Sequence, residues 1–400
     1  MAKRGIVIFT LLVVISAVFG AGFYFGESQK PALPPEGIIN AELGKPAGVD
    51  FSLFWEAWRT LEENFVDHSK MDYQKMLYGA ISGMTSSLKD PYTVYMPPED
   101  AKIFKEDVSG EFSGVGMEIG VRQSQLTVIA PLEGTPAQRA GLRAGDKIIK
   151  IDDTYTTDMT SDEAVKLIRG ERGTKVVLTI FREGWPQSQE FEITRDVIEV
   201  PAVKWEMKDG NIAYINLYQF SETATSAFNK IAAEILASSA NSIILDLRDD
   251  PGGYLEVAQD IAGLFLEKGE LVTTEDFGGA AENQEYRTSG SGQLSSYPLV
   301  VLINQGSASA SEILAGALRD NRGVKLVGVQ SFGKGSVQTL KELTRGSIKI
   351  TVAKWLTPNG TLIDKEGLKP DTEIKLTEDD IDAGKDPQLD KAIEIIKEIR

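Results

Sequence analysis

Residues 242–266 read SIILDLRDDPGGYLEVAQDIAGLFL. The apolar run that opens this stretch lacks the alternation of a strand with one wet face, so it reads as a strand buried on both sides. Pro251-Gly252-Gly253 ends it, and YLEVAQDIAGLFL then opens a helix. The same unit recurs outward. Upstream lie GNIAYINLYQF and ATSAFNKIAAEILASSA; downstream lie LVVLIN, a helix-like run behind three serines, GVKLVG and GSIKITVAKWLT. Strands alternating with helices predict an α/β core over residues 191–375. DPQLDKAIEIIKEIR, within 376–400, predicts a closing amphipathic helix with Pro387 near its start.

Four hundred residues exceed what one hydrophobic core usually holds, so two or three domains are expected. A formal charge of −17 excludes nucleic acid as a partner, because phosphates need a basic surface. With no cysteine and a single histidine, His68, disulfides, thiolate nucleophiles and the usual metal sites are excluded. No metal and no organic cofactor are expected. His68 reads as a surface or helix-end residue.

Lys3 and Arg4 precede an uncharged segment, residues 5–25, which as a helix would span about 31 Å, close to the hydrocarbon thickness. Residues 1–28 therefore read as one N-terminal transmembrane helix, or alternatively as a signal peptide cleaved near Gly20-Ala21-Gly22. The first reading anchors the chain in the cell membrane with everything beyond residue 30 extracytoplasmic; the second leaves it periplasmic or secreted. Residues 29–49 read as a linker. Residues 50–95 form a helical segment, with Phe51, Phe54, Trp55, Trp58, Leu61 and Phe65 at helical spacing as packing residues. The terminal helices could pair two subunits into a homodimer.

Residues 96–190 change character, to short strands, glycine turns and one helix capped by Thr160 or Ser161. The order, and above all AGLRAGDKIIKID, resembles a PDZ domain of the circularly permuted bacterial type. That resemblance implies an α+β module that takes up a peptide C-terminus as an added strand. The backbone N–H groups of Gly114-Val115-Gly116-Met117 would receive the carboxylate. Val165 and Ile168 face either the groove or the module's own core.

In NQGSASASEILAGALRD, residues 304–320, three serines alternate ahead of a helix. Ser309 and Glu312 fit a capping box, which alone is a sufficient account of that serine. A serine nucleophile needs a base, and without histidine the candidate is a neutral lysine. Lys334 lies between two glycines in SFGKGSVQ, a setting for a tightly packed loop in which burial lowers an amine's pKa. Pro251-Gly252-Gly253 can aim backbone N–H groups at a developing oxyanion.

Together GSASASE, FGKGSVQ and DLRDDPGG resemble the C-terminal processing peptidases, or tail-specific proteases, over about residues 50–375. The resemblance implies a crotonase-like core with an inserted PDZ domain, acting on protein or peptide substrates with free C-termini. By the same resemblance Ser309 is the nucleophile and Lys334 its base. Gln338 orients the lysine, and the Gly253 and Ala310 N–H groups form the oxyanion hole. One departure is visible: the family often carries asparagines where this chain has Asp249 and Asp250. Both carboxylates are expected to face Arg248 or solvent. Two other readings remain open, an exported PDZ scaffold on an inactive core and crotonase-type acyl chemistry.

Overall fold

The computed structural model describes residues 44, 48–122, 124–132, 134–377, 379–380 and 383–400. The apolar segment 5–25 lies outside them. Among the described residues no helix is long and apolar enough to cross a membrane.

The chain divides into two compact units, residues 1–72 and 73–400. In the first, the expected helix runs from Ser52 to Asn64. Phe51, Phe54, Trp55 and Trp58 pack on one another, with Phe54 and Trp55 rings 4.7 Å apart edge to face. Leu61 and Phe65 remain exposed, so the stripe is a local aromatic cluster and not a deep core. His68 begins a short 3-10 turn and is exposed, as expected.

The second unit opens with helix Tyr73–Ser86, strand Val94–Met96 and helix Pro98–Ser109. Beyond them, Met117–Arg122, Gln125–Pro131, Lys147–Ile151, Lys175–Phe181 and Gln189–Thr194 form an antiparallel sheet in that order. The last strand straddles the boundary expected at 190. Val128, Ile148, Leu178 and Ile180 are wholly buried beneath it, each worth about 1.5–3 kcal/mol against exposure. Helix Ser161–Ile168 closes this module, and Thr160 is its cap. Its hydroxyl accepts from the Glu163 N–H at 3.3 Å, and Glu163 Oε2 accepts from the Thr160 N–H at 2.9 Å. The stretch SGVGMEIGV is split between two strands, Glu111–Gly114 and Met117–Arg122. The break falls at Val115-Gly116.

The main core is a six-stranded sheet in the order 203–208, 212–217, 242–246, 299–303, 325–328 and 372–373. Its first pair is antiparallel and the rest are parallel. Every residue of Ser242–Asp246 and Leu299–Ile303 is buried, as the unbroken apolar runs predicted. Helices Ala224–Leu236, Leu255–Phe265 and Ala310–Arg322 cover one face through Phe228, Phe265 and Leu314. Helix Pro387–Glu398 covers the other, setting Ala392 and Ile396 against Ile244 and Val300.

A second sheet was not foreseen. It orders Val94–Met96, Ser347–Leu356, Leu271–Asp276 and Gln284–Arg287, with Ser336–Glu342 also pairing with Ser347–Leu356. It has two consequences for the site. It fixes the strand that follows Lys334, and it ties the residues just before the PDZ-like module to Ser347–Lys349, so the module is an insertion in the core.

Candidate active site

The three alternating serines have different surroundings. Ser307 is buried, with its hydroxyl donating to the Leu247 carbonyl at 2.7 Å. Ser311 is buried, and its hydroxyl donates to the Asp250 carbonyl at 2.9 Å. The Ala308 N–H donates to the same carbonyl at 3.0 Å. These bonds clamp the serine loop onto the end of strand Ser242–Asp246. Among the described residues the Ser309 hydroxyl donates to nothing, and Ser309 is only partly buried. Its backbone has φ 56° and ψ −115°, conformations costing about 1–3 kcal/mol in a residue with a side chain. The strained turn presents this one hydroxyl.

The Pro251-Gly252-Gly253 turn packs directly on that serine. A Cβ on Gly252 would lie 2.6 Å from the Ala308 oxygen and 2.8 Å from the Ala310 nitrogen, so only glycine fits. Among the described residues neither the Gly253 nor the Ala310 N–H has an acceptor. Two unpaired donors thus lie on the turn and at the helix start that meet at Ser309, and an oxyanion needs donors of this kind.

Glu312 joins this loop to the lysine loop, a role that its reading as a capping residue did not reveal. It is 1% exposed. Oε2 accepts from the Ser309 N–H at 2.9 Å and the Lys334 N–H at 3.0 Å. Oε1 accepts from the Ser331 hydroxyl at 2.6 Å and the Gly333 N–H at 2.8 Å. Burial raises its pKa, and these four donors oppose that rise.

Lys334 is flanked by glycines because the loop presses on residues 363–367; a Cβ on Gly333 would lie 2.8 Å from the Lys365 carbonyl carbon. Its pKa is lowered, first by burial and then by Lys349, while Glu312 opposes the shift. Among the described residues Lys334 forms no ion pair, and Nζ lies 5.8 Å from the centre of the Tyr92 ring. No hydrogen bond joins it to Ser309 among those residues. Gln338 does not reach the lysine either: its amide donates to the Ser336 carbonyl at 2.9 Å and hydroxyl at 2.7 Å. The backbones of the two loops are therefore locked together while the side chains are not yet engaged.

The expectation for the paired aspartates holds for one of them. Asp249 is exposed, and its Oδ1 accepts from Asn304 Nδ2 at 2.9 Å. Asp250 faces neither Arg248 nor solvent; it is fully buried beneath the turn. Arg248 is instead held by Asp246 at 2.6 Å and Asp386 at 2.8 Å. Its guanidinium keeps Asp386 below the usual carboxylate range against the desolvation that would raise it. Asp246 also accepts from the Tyr214 hydroxyl at 2.6 Å. The cluster fixes the root of the turn. Among the described residues no three His, Asp or Glu side chains meet so as to hold a metal ion.

In the PDZ-like module, Gly114, Val115, Gly116, Met117, Val165 and Ile168 all line one groove of about 60 Å³. Ile168 also belongs to the module's core cluster, and Val165 does not. Gly116 has φ +75°, and a Cβ there would lie 2.5 Å from Thr135 Cβ. Among the described residues the Val115 and Gly116 N–H groups donate to nothing. The sequence reading missed Arg169, which also lines the groove, stacks over Phe112 at 4.3 Å and pairs with Asp107 at 2.7 Å.

This architecture has close counterparts. Residues 211–374 match Peptidase family S41, residues 127–182 a PDZ domain, and residues 28–100 the N-terminal domain of the activating protease CtpB. The carboxy-terminal processing protease CtpA of Bacillus subtilis is 36% identical over 391 residues, covering 97% of this chain and 80% of that one. The chain belongs to the carboxy-terminal processing proteases. Within that family, the carboxyl-terminal-processing protease of Synechocystis is 37% identical, covering 91% of this chain and 87% of its own. A solved photosystem II D1 C-terminal processing protease superimposes with a TM-score of 0.50 at 29% identity, over 81% of this chain and 92% of that one. The protein is a protease with a PDZ domain, and an inactive PDZ scaffold is not favoured.

Proposed function

We propose that this protease is a membrane-anchored, extracytoplasmic serine endopeptidase that cuts proteins near their C-termini through a Ser309–Lys334 dyad. The observation that carries the reading is the strained Ser309, its hydroxyl undonated, packed on the turn that holds the unpaired Gly253 N–H and joined through Glu312 to the lysine loop. Neutral Lys334 takes the Ser309 proton as Oγ attacks the scissile carbonyl, and the two N–H groups hold the oxyanion. The ammonium then protonates the leaving amine, and Lys334 next activates the water that hydrolyses the acyl-enzyme. Gln338 holds the lysine once it turns away from Ser336.

The pH profile tests the base. An amine with a lowered pKa is neutral from a lower pH, so kcat/KM should rise through one ascending limb below the ordinary lysine value of about 10.4. A rate still climbing beyond pH 10 would count against Lys334.

Substrate capture falls to the PDZ groove. Its unpaired N–H groups suit a carboxylate and gain little from an amide. Losing charged hydrogen bonds costs about 1.5–3 kcal/mol, so C-terminal amidation should lower kcat/KM by about 10- to 150-fold below saturation. Gly116→Val should do the same, because its side chain meets Thr135. The disengaged dyad suggests that the groove also gates activity. On a short peptide that bypasses the groove, gating predicts activation by an added tail peptide, and simple capture predicts equal rates. Equal cleavage of amidated and free-acid long substrates would sink both.

The anchor is a separate expectation. The full chain should stay with membranes in high salt, since burial of about 20 apolar residues does not depend on charge. Recovery of a soluble form lacking its first 20 to 25 residues, read by N-terminal sequencing, would favour signal cleavage (cut sites of this kind fall within about 15–30 residues of the start).

A further inference from the structure

Asp250 is a buried titratable group that the mechanism above does not use. Its residue is 0% exposed. Oδ1 accepts from the Gly252 N–H at 2.8 Å, and buried Oδ2 has no partner among the described residues. No cation from the packed elements reaches it. On its own loop Arg248 is committed to Asp246 and Asp386, and Asp249 turns to Asn304. On the serine helix Glu312 is committed to Ser309, Ser331, Gly333 and Lys334, and Lys334 donates nothing to Asp250 among the described residues. A carboxylate so placed would be an uncompensated buried charge.

We propose that Asp250 works as a neutral carboxylic acid, a positioning residue that holds the Gly252-Gly253 turn against the serine helix, and that its ionisation shuts the oxyanion site at alkaline pH. The proposal rests on the Ser309 reading above. Asp250 Oδ1 binds the N–H immediately before Gly253, and the Asp250 carbonyl holds both Ala308 and Ser311. Negative charge there opposes charge developing on the oxyanion, as like charges do at short range. Burial pushes the carboxyl up to about 8, with the Gly252 N–H and then the Ser311 hydroxyl opposing the rise; that hydroxyl's own hydrogen bond goes to the Asp250 carbonyl.

The sign follows for stability too. A carboxyl with a folded pKa above its unfolded value leaves the folded state binding more protons, so stability falls as pH rises between the unfolded value and about 8. The test compares the full chain with Asp250→Asn, which keeps the shape and never ionises. Wild type should show a descending limb of kcat/KM near pH 8, where Asp250 ionises. Asp250→Asn should lose only the descending limb, be at least about 5-fold more active than wild type at pH 9, and gain Tm relative to wild type as pH rises from 5 to 8, each following from a tenfold change in ionisation per pH unit. If Asp250→Asn misfolds, Asp250→Ser carries the same expectation for the limb. A descending limb that persists in these variants, or is absent from wild type, overturns the proposal. No hydrolysis at any pH, with Ser309 intact, would instead overturn the peptidase reading.

Discussion

Ser309→Ala and Lys334→Ala should each lower kcat/KM on a long free-acid peptide by about 10,000-fold or more, with circular dichroism and Tm near wild type. Removing one member of a nucleophile–base unit costs nearly as much as removing the whole unit. The chain has no second histidine to substitute, and Ser309 is the one serine of its run whose hydroxyl is not spent on a carbonyl. Lys334→Arg should be equally inactive, since a guanidinium does not deprotonate in proteins. Ser307→Ala and Ser311→Ala behave differently. Each removes one of two donors from a buried carbonyl, worth about 0.5–1.5 kcal/mol of stability, and should change the rate by no more than about tenfold. An inactive Ser311→Ala beside an active Ser309→Ala would reassign the nucleophile.

What the sequence disclosed about this site, and what it hid, follows from how local each signal is. Strands buried on both faces leave largely apolar runs without alternation, so Ser242–Asp246 and Leu299–Ile303 were readable one at a time. Gln284–Arg287, with only Tyr286 partly covered, carries no such pattern, and the second sheet went unread. Close backbone approach leaves glycine as its trace, which is why the Gly252-Gly253 and Gly333-Lys334-Gly335 loops stood out. Side-chain commitments across the fold leave no trace. The rotation of Gln338 toward Ser336 is a torsion that no residue type encodes, and Arg248 finds Asp386 138 residues away. Asp250 was misread because an aspartate is expected to stay in water. The turn's packing against Ala308 and Ser311 leaves it nowhere else to go.

Glu312 shows the same blindness with the larger functional consequence. Its capping box was legible three residues away, but Ser331, Gly333 and Lys334 lie 19 to 22 residues on. All four of its partners are donors, so Glu312→Gln is not a conservative change. Whichever way the amide is turned, its NH2 must face two of them. Two buried donors left unsatisfied cost about 1–3 kcal/mol each, and either orientation loosens the only described carboxylate that spans the Ser309 and Lys334 backbones. Reacting groups misplaced by about 1 Å forfeit roughly 100-fold in rate. Glu312→Gln should therefore lose at least about 100-fold in kcat, with KM for a tail-bearing substrate nearly unchanged, because the PDZ groove is untouched. Glu312→Asp, a shorter carboxylate that still accepts only, should recover part of that loss. A purely structural role predicts instead a fall in Tm with the remaining folded enzyme fully active. Thermal melts and active-site titration on the same samples separate the two outcomes, and full activity per folded molecule would remove Glu312 from the alignment of the dyad.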